Sequence, residues 1–363
     1  MRIGGNLIRG FMNLDLKRLL KLQQAKVLGL DIGSSVVKMV QLCKDNDGYT
    51  VTAAGMVEIA DGTKDDKNLK EINTVGAIVN CLKSIGVQTR LAVCGVCGPE
   101  VAVRYFKFPV LPPEEIDGAV MLEASQICPF NVNDGAIDYQ LIPNGRDSIA
   151  GILVAATNEV IKRKTRLAKN ASLDSVLMDV DGLALLNCFS EFEKPNVGKA
   201  SAILNVGSSY TNLVIMGENG LPFVRDMTYA GNSILEQIAT ERNISTETVR
   251  EILFSSENST QPQLDLGDSL AGACQKLITN VTETLRYYTA QEKSTVVEKI
   301  FLCGGFALAK GFAEFLSSQL TAPTMLWNPF DKIPCTAGRQ CQDILRKNGP
   351  AMAVAAGLAM RAV

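Results

Sequence analysis

Apolar positions in this chain fall into short runs whose spacing shifts from a period near two to one near 3.6 and back, several times over. Val27–Asp31 is almost continuously apolar, and Val36–Cys43 and Tyr49–Ile59 follow as further apolar runs. Turn-forming clusters bound all three, so the pattern predicts three strands. Asp45-Asn-Asp-Gly48 joins the last two, because Asp-Gly accepts the positive φ that a tight hairpin needs. A polar loop, Asp61–Asn68, then leads to a helical pattern near Leu69–Ile85, and Arg90–Val96 reads as another strand. This β-β-β-α-β order is not the βαβ series of a dinucleotide-binding domain, and neither GxGxxG nor GxxxxGK[ST] occurs.

From about Pro99 the texture changes. A strand at Val101–Phe108 runs into Leu111-Pro-Pro-Glu-Glu115, which opens a helix reaching about Ile127 and ending at Pro129. Strands near Ala136–Ile142 and Ile149–Thr157 and a helix near Glu159–Ala171 complete a compact α+β insert, before Ser175–Asp179 and a helix at Asp181–Phe192 resume the first domain. A polar linker, Glu193–Lys199, precedes a second half whose opening, down to Phe223–Met227, repeats the three-strand start of the first. Residues 231–297 read as helical around a polar loop at Ser255–Asp268. Lys299–Cys303 is a strand stopping at Gly304-Gly305, a helix starts near Lys310, and an Ala-rich helix, Gly349–Val363, is expected to pack across the domain interface.

The expected division is therefore a basic extension at 1–25, a first domain at 26–98 and 174–198, and an insert at 99–173. A second domain at 199–348 includes a helical part at about 231–297, and a closing helix covers 349–363. In the extension, Ile3, Leu7, Phe11 and Leu14 recur at helical spacing among Arg2, Arg9, Lys17, Arg18 and Lys21. A locally packed or poorly ordered segment is favoured there over a helix lying on a membrane.

Two segments carry the candidate chemistry: LGLDIGSSVVKMVQL (Leu28–Leu42) and AILNVGSSYTNLVIM (Ala202–Met216). Each is a strand, a Gly-Ser-Ser turn and a second strand. Gly33 and Gly207 let a ligand approach the backbone, while Ser34, Ser35, Ser208, Ser209 and Thr211 offer hydroxyl and N–H donors for phosphate oxygens. Asp31 precedes the first turn and Lys38 follows it, a pair suited to a metal-bound water and to a phosphate.

Composition narrows the classes. The chain has 363 residues and a net charge of −2, enough length for two cores and no electrostatic case for nucleic acid as the main partner. It contains no histidine, which excludes His-based triads, bases and metal ligands. Most of its cysteines sit in apolar patterns, and Cys94-Gly-Val-Cys97 stands alone without a second pair at zinc spacing, so buried reduced thiols are expected. With no apolar run long enough to span a bilayer and no secretory leader visible, a cytosolic protein is expected.

These segments together resemble the PilM family of type IV pilus assembly proteins, within the actin-like ATPase superfamily, over residues 27–363. VLGLDIGSSVVKMVQL looks like the first phosphate loop. The block from Phe108 to Ile142 closely resembles the inserted subdomain that separates this family from sugar kinases, chaperones and filaments. FVRDMTYAGNSI is similar to the ribose segment, FLCGGFALAKGFAEFL to the adenosine loop, and PAMAVAAGLAMR to the closing helix. The resemblance implies an α/β actin-like (ribonuclease H-like) duplicated two-domain fold with an interdomain nucleotide cleft. ATP and Mg²⁺ would be bound there. Asp31 (holding Mg²⁺ through water), Gly33, Ser34, Ser35, Lys38, Asn205, Gly207, Ser208, Ser209 and Thr211 would lie at the phosphates. Gly231, Asn232, Gly304, Gly305, Phe306 and Ala307 would lie at the ribose and base.

It further implies an inner-membrane assembly scaffold, cytoplasmic and peripheral to the membrane, that grips the N-terminal segment of a PilN-like partner. The groove would lie between first domain and insert, lined by Val101, Val103, Phe106, Leu122, Ile127 and Phe130. Several positions depart from the family pattern: Asn205 replaces an Asp, Ala230 a Gly, Phe306 a small residue, and Arg250 and Leu253 stand where a Glu and a Lys are usual. They point to weak nucleotide binding, slow turnover or loss of the nucleotide. A small-molecule kinase, with Asp179 or Asp181 as base, and an FtsA-like or type II secretion adaptor are the alternatives. Relatives of those two adaptor types continue past the closing helix into a membrane-binding segment, so attachment is expected through the partner.

Overall fold

Strand pairing repeats itself in the two halves. The computed structural model describes residues 27–46, 48–60, 66–142, 148–193, 196–217, 221–255, 266–291 and 295–361. The extension 1–25 lies outside them, as do residues 256–265 of the polar loop. In the first half β1 (Leu28–Ile32), β2 (Val36–Asp45) and β3 (Gly48–Glu58) form an antiparallel meander. After helix α1 (Lys67–Ile85), β4 (Leu91–Val96) joins β1 in parallel, and the order is β3-β2-β1-β4-β8, with β8 at Asp174–Val180. The second half gives β11-β10-β9-β12-β13 with the same sense at every pairing, from β9 (Lys199–Val206), β10 (Thr211–Met216), β11 (Pro222–Met227), β12 (Val296–Cys303) and β13 (Thr324–Leu326). The duplicated two-domain α/β fold expected from the sequence is the one observed.

Between β4 and β8 the insert builds a third, antiparallel sheet of order β5-β7-β6, from β5 (Val101–Pro109), β6 (Gly135–Ile142) and β7 (Ser148–Thr157). Alternation along β5 divides its side chains between two cores. Val101 and Val103 pack toward the first sheet, whereas Phe106 packs with Ile116, Val120 and Ala124 of α2 (Pro113–Ile127) on the opposite face. Helix α3 (Asn158–Asn170) then returns the chain to β8.

Helix α4 (Asp181–Phe192) wedges between the two large sheets and is buried almost all round. A Cβ on Gly182 would lie 2.6 Å from Val224 of the second half, and Phe189 meets Phe301 and Trp327 edge-on. The second half adds α5 (Gly231–Arg242), α6 (Thr246–Phe254), α7 (Gly267–Gln291) and α8 (Phe312–Gln319). The chain ends through α9 (Arg339–Asn348) and α10 (Ala353–Ala359). The turn before α10 touches the second half, where Pro350 O accepts from Gly304 N–H. The helix itself packs chiefly against β1, β2, β4 and α4 of the first half, within a core that also takes in Ile203 and Val214 of the second.

Small residues permit that contact. A Cβ on Gly357 would sit 1.9 Å from Ala184 O, and one on Gly29 2.0 Å from Ala355 O. Backbone atoms cannot step aside as a flexible side chain can. Gly357→Ala is therefore expected to destabilise the protein by about 1–3 kcal/mol or more, read as a lower urea midpoint; an unchanged midpoint would show that α10 is not clamped to α4.

Candidate functional site

Both Gly-Ser-Ser turns open toward the space between the large sheets. In the first, Gly33 N–H donates to Val36 O at 3.1 Å, and Asp31 and Lys38 stand opposite each other in the ladder. Lys38 Nζ lies 2.8 Å from Asp31 Oδ2, with both side chains largely out of water. In the second, Gly207 N–H donates to Tyr210 O at 3.0 Å, and Asn205 faces Asn212 at the equivalent register. Asn205 Nδ2 donates to Asn212 Oδ1 at 2.7 Å. The duplicated position thus holds an ion pair in one half and an amide pair in the other.

The amide pair continues. Asn212 Nδ2 donates to Asp226 Oδ1 at 2.7 Å, and Asp226 Oδ2 accepts from Gly98 N–H at 2.7 Å. Gly98 marks the point where the insert leaves β4. Its φ of +104° and the Tyr210 ring, 2.9 Å from where a Cβ would be, both require glycine. Loss of water raises the Asp226 pKa, offset in part by the Gly98 N–H and the Asn212 amide.

Asp181, the first residue of α4, is 8% exposed, and its Oδ1 has no hydrogen-bond partner. It lies over Gly95 so closely that a Cβ there would be 2.2 Å away. Burial first, and then the charge of Asp31, raise its pKa from 3.8 to about 7, with Lys164 and the Cys97 thiol pulling the other way. Lys164 comes from the insert helix α3 and donates to Ile32 O beside the first turn. Burial, then the charges of Asp181 and Asp226, hold Cys97 as a thiol.

The sequence missed the central place of Asp181 and all of Lys164, Asn212 and Asp226. Nothing in the helical pattern of α3 separates Lys164 from its four basic neighbours Lys162, Arg163, Arg166 and Lys169. Helix α4 starts without a side-chain capping bond, so capping does not explain Asp181. Asp179, the other candidate base, sits in an ion pair with Arg361 at 3.0 Å and accepts from Val180 N–H at 2.8 Å. Burial raises its pKa and Arg361 moderates the rise.

The segments expected at ribose and base do converge on the second turn. Gly231 N–H donates to Gly207 O at 3.0 Å and Asn232 N–H to Ser208 O at 2.8 Å. Gly304, at φ +96°, approaches Val206 so closely that a Cβ would lie 2.4 Å from its carbonyl oxygen. Ser34, Ser35, Ser208 and Ser209 are half-buried at the turns. Thr211 is fully buried and donates to Tyr229 O at 2.9 Å, which takes it out of the phosphate set. Ala307 is buried as well. ATP with Mg²⁺ does not fit this arrangement throughout: Lys38 is already engaged by Asp31, and the buried ring of Phe306 lies against Gly231 on the base side.

The residues expected to line the partner groove do not share one surface: Phe106 and Ile127 meet in the core of the insert, while Val101 and Val103 join the core of the first domain. Val101, Val103 and Phe106 are core, split between the two faces of the third sheet by strand alternation. Leu122 is exposed on α2, and Ile127 and Phe130 are half-buried at the far end of that helix. A narrow groove between insert and first domain is lined by Ala136, Val154 and Ala156 on one side and Met178, Val180 and Leu183 on the other.

The raised Asp181 pKa fixes a pH dependence. A group whose folded-state pKa exceeds its unfolded value is most favourable to folding below the unfolded pKa, and that contribution is lost as pH rises toward the folded one. For Asp181 the loss runs from about pH 4 to about pH 7. Asp181→Asn escapes it, so in metal-free buffer the variant should gain on the natural chain across that window by up to about 4 kcal/mol. Urea unfolding from pH 4 to 8 reads this directly; parallel stability curves would refute it.

The chain matches the family of the type IV pilus assembly protein PilM over residues 29–363. Among solved structures it resembles the PilM–PilN type IV pilus biogenesis complex, with 24% identity, a TM-score of 0.78, and coverage of 94% of this chain and 99% of the other. It also resembles the ethanolamine utilization protein EutJ from Carboxydothermus hydrogenoformans, with 12% identity, a TM-score of 0.54, and coverage of 94% and 98%. A glycerol dehydratase reactivase follows at 10% identity and a TM-score of 0.52, covering 92% and 99%. The duplicated sheets, the insert and the family match over nearly the whole chain agree, and the protein belongs to the PilM family of type IV pilus assembly proteins.

Proposed function

We propose that this chain is a cytoplasmic scaffold of a type IV pilus machine, held beneath the inner membrane by gripping the N-terminal segment of a PilN-like partner. One observation carries the reading: β6 and β8 are outer strands of their sheets, and both border the groove between insert and first domain. An outer strand presents N–H and C=O groups to which an extended peptide can add, while pockets between the strands select its side chains. The floor is apolar at Ala136, Val154, Ala156, Met178 and Val180, and beside it on β6 the buried Gln140 Oε1 lacks a hydrogen-bond partner. Free volume within the groove is only about 30 Å³, room for about one water. The peptide therefore seats along the strand edges and not inside.

No helix among the described residues is long and apolar enough to cross a membrane. In this reading the partner supplies the attachment. The PilN-like partner is inferred from the solved PilM–PilN complex. ATP and Mg²⁺ enter only by analogy with the fold, supported on the phosphate side by the half-buried serines of the two turns.

The test is a fluorescein-labelled peptide of the partner's N-terminal segment, titrated with this chain and followed by anisotropy. Ala136→Arg, opposite Ala156 in the β6–β7 ladder, is expected to weaken binding at least tenfold, about 1.4 kcal/mol. Leu122→Arg, on the outer face of α2, should leave it unchanged. Equal affinity for all three proteins would remove the groove from the reading.

A further inference from the structure

We infer that Phe306 stands in the place of the nucleoside base and keeps nucleotides out of the cleft. This rests on the assignment of the ribose and base segments made above, and it is independent of the partner groove.

Three observations meet at this residue. Its ring is 4% exposed and lies directly on the start of α5: a Cβ on Gly231 would be 2.6 Å from Phe306 Cδ2. Gly231 is tied by its N–H to the second turn, so the ring fills the side of the cleft where ribose and base would continue from the phosphates. On its far side the ring meets Phe254, at the end of α6, with centroids 5.9 Å apart, and Phe312 at 5.0 Å, both edge-on. An edge-to-face cluster closed on this many sides leaves no flat face on which adenine could stack.

The backbone closes the same gap. Lys310 N–H donates to Leu253 O at 2.9 Å, and Lys310 Nζ to Ser255 Oγ at 3.3 Å. The loop after β12 and the end of α6 are the two walls that would have to stand apart to admit a base, and here they are hydrogen-bonded to each other. The N–H groups of Gly231 and Asn232 are already spent on Gly207 O and Ser208 O. Open space remains at Gly305, where a Cβ would meet nothing within 4 Å. The exclusion therefore acts on the base, with the Phe306 ring filling the space and the Lys310–Leu253 hydrogen bond holding its walls together.

Calorimetric titration of the full chain with ATP and Mg²⁺ tests this, with Phe306→Ala as the second protein. The natural chain is expected to give no saturable heat up to about 1 mM ATP. Phe306→Ala, shown by a cooperative melt to be folded, is expected to bind at least tenfold more tightly than that limit, and to lose the binding when Asp31→Ala is added. Saturable binding by the natural chain overturns the inference, and so does a folded Phe306→Ala that gains nothing. Should Phe306→Ala not melt cooperatively, Phe306→Val, which keeps apolar cover in less volume, is judged by the same criteria. The partner-peptide titration on the same preparation separates this result from the scaffold reading, because it reports on the groove alone.

Discussion

A polar residue is buried at the same register point in both duplicated hairpins, and the cleft follows from how each is satisfied. Buried polar atoms need partners, and the partner's chemistry decides whether the network closes or spreads. Asp31 and Lys38 form an ion pair inside one hairpin. Asn205 and Asn212 cannot close in that way. Each amide carries both a donor and an acceptor, so once Asn205 has donated to Asn212 Oδ1 the second amide still has N–H to give. It gives one to Asp226, whose other oxygen takes the Gly98 N–H. Exchanging a charge pair for an amide pair turns a local contact into a relay from the second turn to the root of the insert.

The same economy of position appears at the end of β8. Asp179 borders the insert groove and is matched by Arg361, whereas Asp181, two residues on, lies in the cleft among Asp31, Lys164 and Cys97. The strand ends at Val180 and α4 begins at Asp181, and that change of backbone conformation gives the two carboxylates different surroundings. Val180, between them, lines the groove. The insert groove and the cleft therefore meet across three residues, and α4, which starts there, packs against both large sheets. Any displacement of this stretch is felt on both sides, because packed backbone and buried carboxylates leave little room for independent adjustment.

Much of the fold could be read from the sequence. Strand and helix positions were visible because periodicity and turn residues agree, and the two Gly-Ser-Ser hairpins announced the duplication. The closing helix was harder. Its Ala-rich composition shows that it is packed closely but not against which element, and only the Gly29 and Gly357 contacts place it in the first core. The site was legible where chemistry resides in a local motif, as at Asp31, Gly33, Asn205 and Gly207. It was not legible where distant polar residues meet: Asp226 and Asn212 look like ordinary strand positions, and Lys164 like one cation among several. The spread of Val101, Val103 and Phe106 over two faces follows from alternation along β5, a local rule that the residues expected at the groove did not respect.

Glycines and serines at two turns suggest a phosphate site, yet the charges of this cleft are already engaged. Lys38 is held by Asp31 at 2.8 Å. Lys164 donates to Ile32 O and offsets the charge of Asp181, and Arg104 offsets that of Asp226. An arriving phosphate would have to displace Asp31 from Lys38, in a site where a displaced carboxylate is poorly hydrated. Its own negative charge would also oppose the ionisation of Asp181, already raised to about 7 by burial and by Asp31. A neutralising cation would relieve this, but its benefit depends on a ligand that can bring it, and the base half of such a ligand meets Phe306. The phosphate half asks a nucleotide to compete with Asp31 for Lys38, whereas the base half would meet the bulk of Phe306. The groove beside β8 is built from other side chains, Ala136, Val154, Ala156 and Met178 among them, so the proposed scaffold role does not turn on what the cleft binds.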